Sequence, residues 1–423
     1  GIPAKFLGEG LKGVIADPFG SSMCLILVGL FFARPLYRMK LLTIGDYYHT
    51  RYGRPVELAA SLCIVVSYLG WVSAQITALG LVYSVLTQGA VEPWQGMAIG
   101  TAIVLLYTLA GGMFSVAFTD LFQMCVILLG MIYIAFVVSG IAGGAGVVIN
   151  HAADAGKFDF LPALEPRAVV AFFAAWITMG FGSIPQQDVF QRVQSAKTEK
   201  IAVWGSVLGG SLYFLFAFVP MFLVVSALII MPEKAAALIA EDPQKVLPAL
   251  VIEQMPFIMQ VLFFGALLSA IKSCASATLL APSVTFTENI WRQFHPHMSD
   301  QQGLKAMRVT VLVFSALVLT YAMAMQGTSI YELVSGAYQV TLVGAFVPLL
   351  AGLFWSRATT QGAVFSIVLG LLSWALFLAT GASETVPAQL AGFVMAVVGM
   401  LIGSLGPQGL IKNRHGSHHR WAS

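Results

Sequence analysis

Eleven stretches of this chain stay apolar for about 20 residues or more, and that repetition confines the fold more than any motif. They fall at approximately 17–37, 57–87, 93–110, 114–145, 168–186, 202–232, 256–288, 304–326, 331–355, 359–380 and 387–406. About 20 helical residues cross ~30 Å of hydrocarbon, whereas a barrel strand needs only about 9–11. Hydrocarbon offers no partner to a free peptide group, so segments of this length must be helices. The expectation is an all-α, polytopic membrane protein. Composition agrees: 58% of residues are hydrophobic and only 10% charged, with a mean hydropathy of +0.85. A soluble domain carries about 25% charged residues. The net charge of +3 is small and gives no nucleic-acid partner; the expected surroundings are the lipid bilayer.

The placement of charge tests the count of spans. Arg34, Arg38, Lys40, Arg51 and Arg54 fall on one side, followed by Arg192, Lys197 and Lys200. Arg292, Lys305, Arg308 and Arg357 join them, and so do Lys412, Arg414 and Arg420. The opposite loops are acidic, with Asp154, Asp159, Glu165, Glu233, Glu241, Asp242, Glu253 and Glu384. Basic loops stay in the cytoplasm. The sequence therefore predicts a multi-pass protein of the cell (inner) membrane with a cytoplasmic C-terminus. Residues 1–13 read as the remnant of a helix begun upstream, 14–408 as the transmembrane domain and 409–423 as a basic, disordered tail. Residues 146–167 and 233–255 are the two long outer loops. The four cysteines all lie in apolar segments without metal-ligand spacing and read as small apolar residues.

Two segments carry the chemistry. At 176–186, WITMGFGSIPQ, the residues Gly180, Gly182 and Pro185 fit a broken helix whose freed carbonyls and amides line a cavity. A simple kink is the alternative. The amphipathic stretch that follows, from Gln186, predicts a cytoplasmic helix. At 263–291, a lysine and a run of small hydroxyl and thiol residues interrupt a segment long enough to span. Ala270, Ser273 and Cys274 share one helical face, where a carbonyl and a hydroxyl could hold a small hard cation. Close packing against another helix is the alternative. Lys272 lies roughly 100–160° around the helix from that face, which points it away from the same site. An ionisable group at such a position costs roughly 2.5–3.5 kcal/mol, so Lys272 is either ion-paired, snorkelling or functional.

Residues 107–123, YTLAGGMFSVAFTDLFQ, place Gly111-Gly112 at a tight turn between two spans, with Asp120 about two turns into the second. A carboxylate there could attract a cation or hand one on. With Gly111, Gly112, Thr119, Asp120 and Gln123, and with the small-residue helix at 263–291, the chain resembles the sodium:solute symporter family. ADPFG at 16–20, YGR at 52–54 and the pair Gln191-Arg192 support the resemblance. The resemblance implies a five-plus-five inverted-repeat transporter fold with extra C-terminal helices and ion and substrate sites near the midplane. It implies sodium as the coupling ion, held through the Ala270 carbonyl and the Ser273 and Cys274 side chains, with Asp120 on the ion's cytoplasmic route. It also implies that the family's first core helix, with its share of both sites, lies mostly before Gly1. Two residues depart from the family pattern. Cys274 stands where a hydroxyl is usual, and a thiol is a poor ligand for a hard cation. Lys272 stands where the family is uncharged, which makes it a possible cation substitute.

Candidate solute contacts are Tyr68, Trp71 and Gln75 on one helical face, Trp176 and Gly180 at the break, and Tyr338 with Gln339 on a later span. For each aromatic singly, a place in the core or at the interface is the alternative. No membrane arginine is present to clamp a solute carboxylate. The expected function is secondary active transport of a small organic solute by symport with a cation, sodium or proton, with no organic cofactor. The alternatives are a membrane sensor that binds solute without transport, or transport coupled to protons or to no ion. No nucleophile–base pair or phosphate loop points to an enzyme.

Overall fold

The structure, a computed structural model, describes the backbone of residues 1–110 and 113–409. Gly111, Gly112 and the tail from 410 lie outside the described residues, as do the side chains of 113–119 and 384. The glycine pair, the Thr119 hydroxyl and the tail lysine and arginines are therefore not placed.

The described residues are almost wholly helical. A short helix α1 (Ile2–Glu9) precedes a long irregular run α2 (Leu11–Met39) and the interfacial helix α3 (Ile44–Tyr52). Then come α4 (Arg54–Leu86), α5 (Pro93–Ala110), α6 (Met113–Ile141) and α7 (Ala145–Asp154). The bent pair α8 (Pro166–Gly182) and α9 (Gln187–Gln194) leads into α10 (Glu199–Ile230). Two short helices, α11 (Pro232–Glu241) and α12 (Val246–Gln254), cap one end before α13 (Phe257–Phe294). The last four are α14 (Asp300–Ala324), α15 (Ile330–Phe354), α16 (Thr360–Ala379) and α17 (Ala388–Leu405). Among the described residues ten helices are long and apolar enough to cross a membrane, or eleven if α8 and α9 form one bent span. The expected spans are all present. The first begins at Leu11 rather than near 17, and the loop at 146–167 contains the helix α7.

The chain presents apolar side chains outward, as lipid requires. Leu106, Phe122 and Phe136 are 68%, 69% and 79% exposed. Inside, α4 is the axis of the fold and packs against α3, α5, α13, α14 and α15. Tyr47, Tyr48 and Tyr52 of α3 are fully buried. Their hydroxyls donate to the carbonyls of Leu349, Ala345 and Pro348, and so fasten α3 to α15. Tyrosine suits this place because its ring fills the core while its hydroxyl finds a partner.

The same end of the molecule is gathered by one buried amide. Asn289 of α13 accepts from the Thr43 hydroxyl at 2.7 Å and donates to Asp46 and Glu57, both at 2.9 Å. Glu57 is in turn 2.6 Å from His49 Nδ1. Three elements, α3, α4 and α13, thus meet at a side chain whose polar atoms are all satisfied. Gly45 makes the approach possible, since a Cβ there would lie 2.3 Å from the Asn289 amide carbon.

The helices α16 and α17 form a close antiparallel pair with small residues along the seam. A Cβ at Gly399 would lie 2.6 Å from the Phe365 carbonyl oxygen, and one at Gly403 2.7 Å from the Gly362 Cα. Contact of backbone with backbone is what small residues allow between membrane helices. Gly399→Ala is expected to destabilise the protein by about 1–3 kcal/mol through overpacking. Gly265→Ala, on α13 with open space around it, is expected to be neutral or slightly stabilising. Thermal unfolding of the two variants in detergent checks the contrast.

Candidate functional site

Two helices lose their regular path, and the site lies where they do so. In α2 the helical run is interrupted at Asp17, whose backbone is extended at φ −142° and ψ 116°. The α8 helix ends at Gly182, and α9 resumes after Gln186 bent by 44°. The chain does break within 176–186, at residues 183–186, but the freed groups are met by neighbours rather than lining the cavity. The Thr341 hydroxyl donates to the Gly182 carbonyl at 2.6 Å. The Gln186 amide donates to Ser67 at 3.0 Å and Thr341 at 3.3 Å, and the Gln187 side chain accepts from the Ile44 peptide N–H at 2.8 Å. Such partners are needed because an unpaired buried peptide group costs about 1–3 kcal/mol. The two irregular helices touch closely: a Cβ at Gly20 would lie 2.8 Å from the Trp176 carbonyl.

A cavity of about 750 Å³ opens beside the interruption of α2, with Met179 of α8 in its wall. Asp17, Trp71, Gln75, Met179, Phe263 and Tyr331 are among its walls, so α2, α4, α8, α13 and α15 all contribute. The walls are mostly apolar with a few polar groups, as a small-molecule site requires. The Trp71 ring lies 5.4 Å from that of Tyr338, and its indole N–H is buried without a partner.

Of the solute contacts expected from sequence, Trp71 and Gln75 line this cavity, and the others are engaged elsewhere. Tyr68 is buried against α9, where its hydroxyl donates to the Asp188 carboxylate at 2.5 Å and accepts from the Asp188 peptide N–H at 2.9 Å. Gln339 turns toward α16 and accepts from the Trp374 indole at 3.1 Å. Trp176 stacks on Phe173, 6.2 Å between centroids, and Gly180 faces Met23. Tyr338 stands behind Trp71 rather than at the wall. Helical spacing placed Tyr68 on the same face as Trp71 and Gln75, but a neighbouring carboxylate outside that face captures its hydroxyl.

The ion-site residues gather on α13. Ser273 is buried and its hydroxyl donates to the Asp120 carboxylate of α6. Ala270 and Cys274 are half-buried on the same face. Gln123 donates to Ser269 at 2.6 Å and Thr108 to Ser276 at 2.8 Å, so polar ties run along α13 to α5 and α6. Arg192 of α9 is 3.1 Å from Asp188 and lies within electrostatic reach of Asp120 and Cys274. Lys272 points elsewhere, as its phase predicts. Its ammonium rests over the Tyr107 ring, 4.4 Å from the centroid, an arrangement that stabilises a cation without a carboxylate. Sequence reading missed Asp17 and Asp188 as site residues. Asp17 sat in view within ADPFG, where the following Pro18 disfavours helical backbone and gave the signal for the interruption.

Comparison with known proteins supplies the family and the fold. The model of the sodium:solute symporter family matches residues 1–370. The human high affinity choline transporter 1 is 30% identical over 384 residues, covering 86% of this chain and 63% of that protein. The sodium/glucose cotransporter 4 of Danio rerio is 25% identical over 416 residues, covering 88% of this chain and 62% of the relative. The chain thus spans under two thirds of the length of these relatives. Among solved structures, a Na+-coupled sialic acid symporter in a substrate-bound, outward-open state aligns with a TM-score of 0.74. It is 20% identical and covers 96% of this chain and 86% of that one. The fold is accordingly the inverted-repeat transporter fold.

Replacing Tyr68 tests its structural role. Tyr68→Phe removes one of the partners of the Asp188 carboxylate and the partner of its peptide N–H, and is expected to cost about 1–3 kcal/mol of stability. A lowered melting temperature in detergent, with solute affinity of the folded fraction unchanged, is the expected outcome. A changed affinity at unchanged melting temperature would put Tyr68 at the solute instead.

Proposed function

The chain belongs to the sodium:solute symporter family, and we propose that it carries a small organic solute across the membrane by cation-coupled symport. The coupling ion is sodium, and the mechanism is alternating access around the cavity between α2, α4, α8, α13 and α15. The observation that carries this reading is the hydroxyl of Ser273 on the carboxylate of Asp120, inside a segment built to lie in hydrocarbon. A membrane helix keeps a carboxylate only where something rewards its charge. Here a cation moving past α13 meets a hydroxyl, the Ala270 carbonyl and a carboxylate, all oxygen donors suited to a hard ion. Ser273 belongs to the ion's coordination and Asp120 to its route, attracting the ion and orienting the serine. Cys274 is the weak member of the set.

The relatives support the transport class and leave the solute open. Their names specify choline, glucose and sialic acid as the solutes or partners of those proteins. The cavity beside the interruption of α2 is the corresponding place for a solute here. Trp71 and Gln75 remain the solute contacts of this reading. Positive charge on the 38–56, 192–200 and 292–308 loops puts that face, and the C-terminus with it, in the cytoplasm. The reading in which Lys272 substitutes for the ion is weakened by its position over Tyr107, on another side of α13.

Uptake into proteoliposomes holding the full-length protein tests the proposal. Solute accumulation is expected to require an inward sodium gradient and not a proton gradient. Asp120→Asn and Ser273→Ala should each raise the half-saturating sodium concentration about tenfold, a loss of about 1.4 kcal/mol of cation binding. Cys274→Ser should lower it. Lys272→Met should leave it within about twofold. New or much stronger sodium dependence in Lys272→Met would instead make the lysine the ion's substitute, and solute binding without uptake under any gradient would favour a sensor.

A further inference from the structure

We propose that Asp17 anchors the positively charged headgroup of the solute, so that the substrate is an organic cation: an amine or a quaternary ammonium compound. This inference rests on the reading of the cavity as the solute site and names the chemistry it selects.

The cavity of about 750 Å³ has one charged side chain in its wall, Asp17. No lysine, arginine or histidine lines it. None of the ion pairs among the described residues includes Asp17. Its carboxylate accepts a hydrogen bond from the Tyr213 hydroxyl at 2.7 Å, and its peptide N–H donates to the Tyr331 hydroxyl at 3.2 Å. These contacts fix the carboxylate without neutralising it. They also hold it at the interruption of α2, where the extended backbone at Asp17 turns the residue out of the helical run.

A carboxylate with no side-chain counter-charge, facing an apolar cavity, is costly unless a cation arrives to share the space. The other walls suit a cation as well. Trp71 and Phe263 present aromatic rings, whose faces attract ammonium groups, while the Tyr331 ring already has the Lys5 ammonium 5.9 Å from its centroid. Trp71 and Tyr331 pack in the same apolar cluster as Ala16, next to Asp17 in the chain. The unpartnered Trp71 indole N–H is a donor for an acceptor atom elsewhere on the solute. A solute carboxylate would find no basic side chain here and would be repelled by Asp17. A neutral sugar would leave Asp17 unpaired.

The test is binding to the purified full-length protein with choline, tetramethylammonium and putrescine as probes. Dimethylbutanol, the uncharged carbon isostere of choline, is the control for size and shape. The wild type is expected to bind at least one cation, and choline at least about tenfold more tightly than dimethylbutanol. Asp17→Asn should erase that preference and Asp17→Glu should retain it. The preference is a ratio on one preparation, so partial misfolding of a variant does not mimic the result. Failure of all three cations to bind overturns the proposal, and so does a preference that survives Asp17→Asn. Sodium-driven uptake of a neutral or anionic solute, unaffected by Asp17→Asn, overturns the anchor but leaves symport standing. Cation binding that needs Asp17, without uptake under any gradient, keeps the anchor and overturns symport.

Discussion

Everything in this molecule depends on one constraint: a peptide group inside hydrocarbon must find its partner within the protein. Regular helices meet it at no expense, and most of the chain is regular. The breaks in α2 and α8 meet it with borrowed side chains. Thr341 serves the Gly182 carbonyl, and Gln186 ties the break to α4 and α15. Tyr331 receives the Asp17 peptide N–H. Two of these partners, Thr341 and Tyr331, sit on α15, so the helix that satisfies both breaks also walls the cavity. The irregular backbone, the cavity and the polar donors coincide because each requires the others.

Charge follows the same logic at a higher cost. Four of the ionisable groups on the spanning helices show four different answers. Asp120 has a hydroxyl and the field of Arg192. Lys272 has an aromatic ring. Glu57 has a buried amide and an imidazole. Asp17 has two phenols and an open cavity. The first three are answered by the protein itself, within one shell of side chains. For Asp17 the answer stops at hydrogen bonds, which orient a charge but do not cancel it.

The sequence disclosed the architecture because apolar length is a one-dimensional property. Eleven stretches could be counted without knowing how they pack, and the basic loops gave an expected alternation. The break at 183–186 was also legible from the nearby Gly182 and Pro185, since glycine and proline act locally. The Ser273 face was legible through helical phase, and so was the divergence of Lys272. Contacts between distant segments were not. Whether Tyr68 would face a solute or Asp188 depended on how α9 folds back, 120 residues later. Gln339 and Trp374 are 35 residues apart on different helices. Phase gives a direction around one helix and says nothing about which neighbour waits there.

The ties at the two ends of α13 explain how such a protein can be both firm and able to move. At one end Asn289 binds α3, α4 and α13 through neutral and charged hydrogen bonds of good length. Further along, α13 holds α5 and α6 through single bonds from Thr108, Gln123 and Asp120. A network sharing one buried amide opens only by losing several bonds together, whereas single ties open one at a time. The residues proposed for the ion lie in the singly tied stretch, and the cavity wall continues from it through Ile271, Leu267 and Phe263. On the proposed reading, a cation at the Asp120–Ser273 contact would act where α13 is held by single ties. Alternating access needs a ligand that binds one arrangement of the helices better than the other. On the proposed reading, ion and solute would bias the same helix, which would couple their binding through α13.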